Sequence, residues 1–409
     1  MPRAPVATPG NRIDFALTRR PAHVAVVALA IGTLLGPLGL RLLRPQLMED
    51  GTLIETLSEI ALLTCLFCLG LRLRLPIEWR TWRIPVRLST LTMLATIAIA
   101  AAAAHLMFDM GLAESLLLGA VIAPTDSVIA ADVAAQAVAD LSAHPEAEQD
   151  SPSFILSAES GINNGLAAVL VLLVLGMMGL NDADSVALGS ISLVAAWGAV
   201  GGFLVGSLTG AGMARWIKLL DPERQADFLE EAMVFATAAL AYGAALAIHT
   251  DGFLAVFAAG VALSHGGRLR RPLRNRPLMP RVLRIASRIE RYSWLVIVVL
   301  LGTLVASIDY KWWMLVFAVL LILIIRPLAV RLGLGGVSIP EAQWRSVAWF
   351  TARGVAPLYC LAFSINHGLS ASYARQLTGI TLVVVVTSIL ASAISGIPLS
   401  RPSPGTVDL

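Results

Sequence analysis

"APTDSV", residues 123–128, sits inside an apolar run from 113 to 137 that is long enough to cross a bilayer. A membrane helix satisfies its backbone N–H and C=O groups within itself, because hydrocarbon offers no partners. Pro124 has no N–H to give and opens that ladder. Thr125 and Asp126 come next, and they are the residue types that cap and neutralise the positive end of a new helix. The stretch reads as a helix that stops at membrane depth and starts again. Unwound backbone survives there only when it is buried in protein or lines a cavity. "ARGVAP", residues 352–357, breaks a second run, 344–363, with Arg353, Gly354 and Pro357.

The rest of the chain sets these breaks in a polytopic frame. Of 409 residues, 57% are hydrophobic and 14% charged, against about 25% charged in a soluble domain. Polar groups are too few to cover a soluble globule, so a soluble enzyme is excluded, and the basic balance calls for a membrane explanation before a nucleic-acid one. Twelve apolar segments are predicted, at 22–40, 53–71, 84–105, 113–137, 153–180, 186–212, 229–247, 251–265, 291–308, 312–332, 344–363 and 376–398. Cys65 and Cys68 form a C-x-x-C in the second segment with no other ligand pair nearby, and read as small buried side chains. No nucleotide, haem or metal-cofactor motif is present, and no cofactor is expected.

Arginine placement orients the segments. With the N-terminus inside, the inner connections hold Arg72, Arg74, Arg80 and Arg83, then Arg215, Lys218 and Arg224, then the basic stretch 268–291. The outer ones hold only Arg41, Arg44, Lys311 and Arg375. The positive-inside rule therefore puts both termini in the cytoplasm. The expected organisation is a cytoplasmic tail 1–21, a transmembrane domain 22–398 and a cytoplasmic tail 399–409. The basic stretch reads as a topology determinant lying against anionic lipid.

The two breaks also fall in corresponding places. If segments one to five (about 22–180) and eight to twelve (251–398) are two copies, with 186–247 as linkers, segment four matches segment eleven. An odd number of segments per copy makes the second inverted, and paired broken helices in inverted repeats point to a transporter's midplane site. The fold class expected is all-α and polytopic, with about twelve membrane helices, inverted repeats and two broken, crossing helices.

A polar stripe runs through segment five. In "SAESGINNGLAA", residues 157–168, Glu159 and Asn163 share one helical face and Ser160 and Asn164 the next. Deep acids are costly in a bilayer and are functional by default. The oxygen-rich stripe suits a hard monovalent cation. Arg353, deep in segment eleven, needs a counter-ion, for which Glu159 or Asp126 is available.

At these residues the chain resembles the monovalent cation/proton antiporters of the NhaP and sodium/proton exchanger type. "GAVIAPTDSVIAADV" (119–133) is similar to the family's Pro-Thr-Asp-Pro-Val break, "ESGINNG" (159–165) to Glu-Ser-x-x-Asn-Asp-Gly, and "WFTARGVAPL" (349–358) to a Trp-x-x-x-Arg-Gly helix. "GTLLGPLGL" (32–40) and "FLAVFAAGVALS" (253–264) resemble its helix ends. The resemblance implies an NhaA/NhaP-like homodimer in a bacterial inner membrane, with a core part that moves like an elevator, and monovalent cations and protons as its cargo. The family usually has thirteen spans, and the first has no counterpart here.

The resemblance also marks two departures. The family's cation-binding aspartate falls on Asn164, and a glutamate of the preceding core helix falls on Cys68. The acids that remain are Asp126, Asp132 and Glu159. Thr125, Asp126, Ser160, Asn163 and Asn164 are the expected cation/proton site, Glu159 and Arg353 a structural ion pair, and Asp132 an entrance charge. Asp126 has two readings, the exchanging acid or a fixed counter-charge for helix ends. The functional expectation is Na⁺ or K⁺ exchange for protons. Its alternatives are an uncoupled or differently coupled transporter and a non-transporting receptor or regulator.

Overall fold

The structure, a computed structural model, describes residues 21–73, 75–126, 128–129, 152–180, 188–219, 227–266, 278–337, 344, 347–349 and 352–395. Every element among them is helical. In chain order they are α1 (Pro21–Leu35), α2 (Gly51–Arg72), α3 (Trp79–Phe108), α4 (Leu112–Ile122), α5 (Pro152–Met177) and α6 (Leu188–Leu219). Then come α7 (Asp227–Ala247), α8 (Gly252–Gly266), α9 (Leu278–Leu304), α10 (Trp312–Gly333), α11 (Val355–Asn366) and α12 (Ala371–Ser395). Six helices are long and apolar enough to cross a membrane on their own. α4 and α11 are short because each is one half of a broken segment.

Several boundaries differ from the sequence expectation: α6 runs to Leu219, seven residues past 212, and α3 and α12 each start five residues early, at Trp79 and Ala371. The first helix stops at Leu35 rather than near 40, where Gly36 and Pro37 turn the chain. α9 starts at Leu278, so thirteen residues of the basic stretch, 278–290, are helix before the expected start at 291. The reason is amphipathicity. Val282 and Ala286 are buried, while Glu290, 1% exposed, forms an ion pair with Arg72. The Cys68 thiol donates to the Ala286 carbonyl at 3.3 Å, so this cysteine packs against the helix start.

The inverted repeat is written into the backbone at three levels. In the first copy α3 has nine α-helical residues, Trp79–Arg87, then a five-residue π turn, Leu88–Thr92. In the second copy α10 has nine, Trp312–Leu320, then a five-residue π turn, Leu321–Ile325. The next helices, α4 and α11, carry the breaks. The first pairs cross on glycines. α1 meets α9 where Gly32 faces Gly302, and a methyl on Gly32 would collide with the Val299 carbonyl oxygen. The mirrored pair, α8 on α2, meets where Gly260 faces Gly70, and a methyl on Gly260 would lie 2.6 Å from the Phe67 carbonyl oxygen. Small residues let membrane helices approach this closely.

The contacts sort the helices into two groups. α1, α2 and α6–α9 pack mainly on one another, and so do α3–α5 with α10 and α12, while α11 joins this second group but packs most extensively on α2 of the first. One apolar core runs through both groups, and a smaller cluster joins α2, α6, α7, α8 and α9. Large apolar side chains on α6, including Leu193, Trp197, Leu204 and Leu208, stay exposed, as helices facing lipid require.

Candidate ion-binding site

The two breaks meet. Helix α4 ends at Ile122, residues 123–126 are not helical, and Val128 and Ile129 are helical again. On the other side residues 352–354 separate Val347–Trp349 from α11. The Asp126 N–H donates to the Ala352 carbonyl at 2.7 Å, so the crossing is a backbone hydrogen bond between the two unwound segments. Gly354 permits it, since a methyl there would collide with Asp126 Oδ2.

Each break carries one charge, and each charge serves a helix end. Asp126 Oδ1 accepts the N–H groups of Val128 at 2.9 Å and Ile129 at 3.0 Å, capping the positive end of the restarted helix. The Arg353 Nε–H donates to the Ile122 carbonyl, at the negative end of α4. The Arg353 backbone N–H donates to Ser388 Oγ of α12 at 3.0 Å. Asp126 Oδ2 has a different partner, the Trp294 indole N–H of α9 at 2.9 Å. Both charged residues are buried, Asp126 at 4% and Arg353 at 0% exposure.

The polar stripe of α5 faces this crossing. Ser160 Oγ donates to the Thr125 carbonyl at 3.0 Å, and Asn164 Nδ2 reaches Ser160 Oγ at 3.5 Å. Thr125, Ser160, Asn163 and Asn164 are all buried. Among the described residues, Asn163 Oδ1 and Nδ2 and Asn164 Oδ1 have no hydrogen-bond partner. A buried polar atom left unpaired costs about 1–3 kcal/mol, so three such atoms side by side on one helix are destabilising unless something else satisfies them. Amide and carbonyl oxygens are the groups that replace water around an alkali cation.

The expected Glu159–Arg353 ion pair is corrected. Glu159 pairs with Arg326 of α10 at 2.5 Å, and both side chains are almost fully buried. The physical reason is the π turn. An extra residue in a turn rotates the rest of the helix by about 100°, and Arg326 is the first residue after Leu321–Ile325. It is 1% exposed. Arg353 lies close enough to feel both Arg326 and Glu159 electrostatically, but its guanidinium serves the end of α4. The other π turn braces the same place, because Ser89 Oγ reaches the Glu159 carbonyl at 3.1 Å.

Thr125, Asp126, Ser160 and Asn164 are thus linked around one crossing, with the buried Glu159 and Asn163 on the same stretch of α5. Asp132 lies outside the described residues. Sequence reasoning missed Arg326, Trp294 and Ser388. Arg326 stood directly after the apolar run "LILII", the one signal available, yet Pro327 and Arg331 made it look like a helix end.

The profile "Sodium/hydrogen exchanger, transmembrane" matches residues 11–401. A protein named K(+)/H(+) antiporter NhaP from Alkalimonas amylolytica is 27% identical over 93% of this chain and 62% of its own length. A K(+)/H(+) antiporter NhaP2 of Shewanella sp. (strain MR-4) is 26% identical over 91% and 61%. The chain therefore spans about three fifths of these relatives' length. The structure of the sodium proton antiporter MjNhaP1 from Methanocaldococcus jannaschii superposes with a TM-score of 0.74 at 20% identity, covering 94% of this chain and 95% of that one. That likeness is one of fold. With a crossing of two broken helices at its centre and a family match over nearly its whole length, this integral membrane protein belongs to the sodium/hydrogen exchanger transmembrane family.

Proposed function

We propose that the protein is a secondary transporter that exchanges a monovalent cation, K⁺ or Na⁺, for protons. The observation that carries this is the set of unpartnered amide atoms of Asn163 and Asn164, buried beside the crossing. The names of the relatives support the same reading. In it, Asn164 contributes a carbonyl oxygen to the cation. The titrating group is Asp126, and its two oxygens divide the work. Oδ1 is held by two backbone N–H groups and caps the helix. Oδ2 receives one indole N–H and keeps a lone pair. Cation and proton compete for that oxygen, which is enough for one-for-one exchange. Both termini lie in the cytoplasm, the membrane is a bacterial inner membrane, and the working unit is a homodimer surrounded by lipid.

The test is purified protein in proteoliposomes with a trapped pH dye, challenged in turn with K⁺, Na⁺ and Li⁺. Dye responses to K⁺ or Na⁺ that vanish in empty vesicles are expected. No response to any alkali cation across the working pH range would overturn the reading.

A further inference from the structure

A cavity of about 530 Å³ lies between the two helix groups, and it borders α5 at Ile162, the neighbour of Asn163. On one side its walls are Ile77, just before α3, Trp82 of α3 and Ile162 of α5. Phe203 of α6 and Phe257 and Val261 of α8 form the other side. Its volume is that of a small-molecule site. An apolar cavity does not hold water well, and a membrane protein has one apolar filler always at hand.

Two features say what the filler is. First, Phe203 lines the cavity and is also 45% exposed on α6, a helix with an outward apolar face. The cavity is therefore one side chain away from the bilayer, and an alkyl chain can enter sideways. Second, the polar lining gathers at one end and is basic. Arg215 lies near the end of α6 and His265 near the end of α8. The His265 ring is fixed between two acceptors, the Val261 carbonyl at 2.8 Å from Nδ1 and the Leu75 carbonyl at 2.7 Å from Nε2. The arginine asymmetry of the sequence puts this end at the cytoplasmic face, where anionic headgroups lie.

We infer that this cavity binds one acyl chain of an anionic phospholipid, with the headgroup phosphate at Arg215. Its walls come from both helix groups, so the bound chain touches both and is displaced whenever they slide. The inference goes beyond cation exchange and does not rest on it.

The experiment uses the full chain, purified in detergent and stripped of lipid, then exposed to equal amounts of phosphatidylglycerol and phosphatidylcholine. Retained lipid is counted by native mass spectrometry. Wild type should keep one phosphatidylglycerol per chain, preferred over phosphatidylcholine by about fivefold, the effect of one basic side chain. Arg215→Gln should lose most of that preference. Ala211→Phe from the α6 wall and Ala262→Phe from the α8 wall fill the cavity and should lose the bound lipid, and either monodisperse variant suffices. Equal retention of the two lipids by wild type would overturn the proposal. So would cavity-filled variants that keep phosphatidylglycerol unchanged, including the case where they lose transport instead, which would mark the cavity as an ion route.

Discussion

The break at Asp126 and the break at Arg353 are the same device with opposite charges. Each unwinds a few residues at the centre of a core helix, and each puts one buried charged side chain at a helix end. The sign depends on the end that is served. Asp126 meets the N–H groups of a starting helix, and Arg353 meets the last carbonyl of a finishing one. The difference teaches that repeat symmetry fixed the geometry twice, while the local helix dipole fixed the charge separately in each copy. The two copies part company at the second oxygen of Asp126, which has a tryptophan N–H where Arg353 has nothing titratable to offer.

Three changes break or sharpen this comparison. The largest effect is expected of Asp126→Asn. The amide oxygen can still accept the Val128 and Ile129 N–H groups, so the fold should hold, but the exchangeable proton is gone. Cation-dependent dye signals in proteoliposomes should disappear, with elution and melting close to wild type. Exchange equal to wild type would reduce Asp126 to a counter-charge, the mirror of Arg353 and nothing more.

Next comes the ion pair that neither break supplies. Arg326→Ala strands Glu159 in a buried site, at about 3–5 kcal/mol, and should cut folded yield and melting temperature sharply. Adding Glu159→Gln should restore part of the loss. Arg353→Ala removes the donor to the Ile122 carbonyl at the end of α4 and should also lower the melting temperature. A double variant no better than Arg326→Ala alone would refute the pairing.

The mildest change is Asn164→Asp, which keeps the shape and adds a carboxylate beside the unpartnered amide atoms. It should fold, and it adds a second proton-binding group to the cation's surroundings. Its curve of exchange rate against pH should differ in shape from wild type. A curve that superposes on wild type would place Asn164 outside the ion's path.

Much of this arrangement was readable in the sequence, for local reasons. Pro124 and Gly354 announce breaks wherever they stand in an apolar run, and arginine counts order the loops without any structure. The polar stripe of α5 was visible because helical period puts Glu159 with Asn163 and Ser160 with Asn164. What failed was partner choice. Arg326 turns inward because of a π turn in "LILII", which has no Pro, Gly or charge to mark it. Trp294 reaches Asp126 from a helix far along the chain, and nothing in "RYSWLVIV" says so. The early start of α9 was hidden because charge suggested a loop, whereas one buried face, Val282 and Ala286, was enough to make a helix.

The four charges buried in the group α3–α5 and α10–α12, among the described residues, are Asp126, Glu159, Arg326 and Arg353, and they cancel. Membrane voltage acts on charge at about 2.3 kcal/mol per elementary charge per 100 mV. If the protein exchanges ions as proposed, these four charges would add no electrical work to the crossing of an empty core. A core loaded with a cation carries one net positive charge, and so does a core whose Asp126 holds a proton. In that proposed cycle, outward and return strokes would feel the same force in opposite senses. A one-for-one exchanger built this way runs on concentration gradients alone, and clamping the voltage should leave its net turnover direction unchanged.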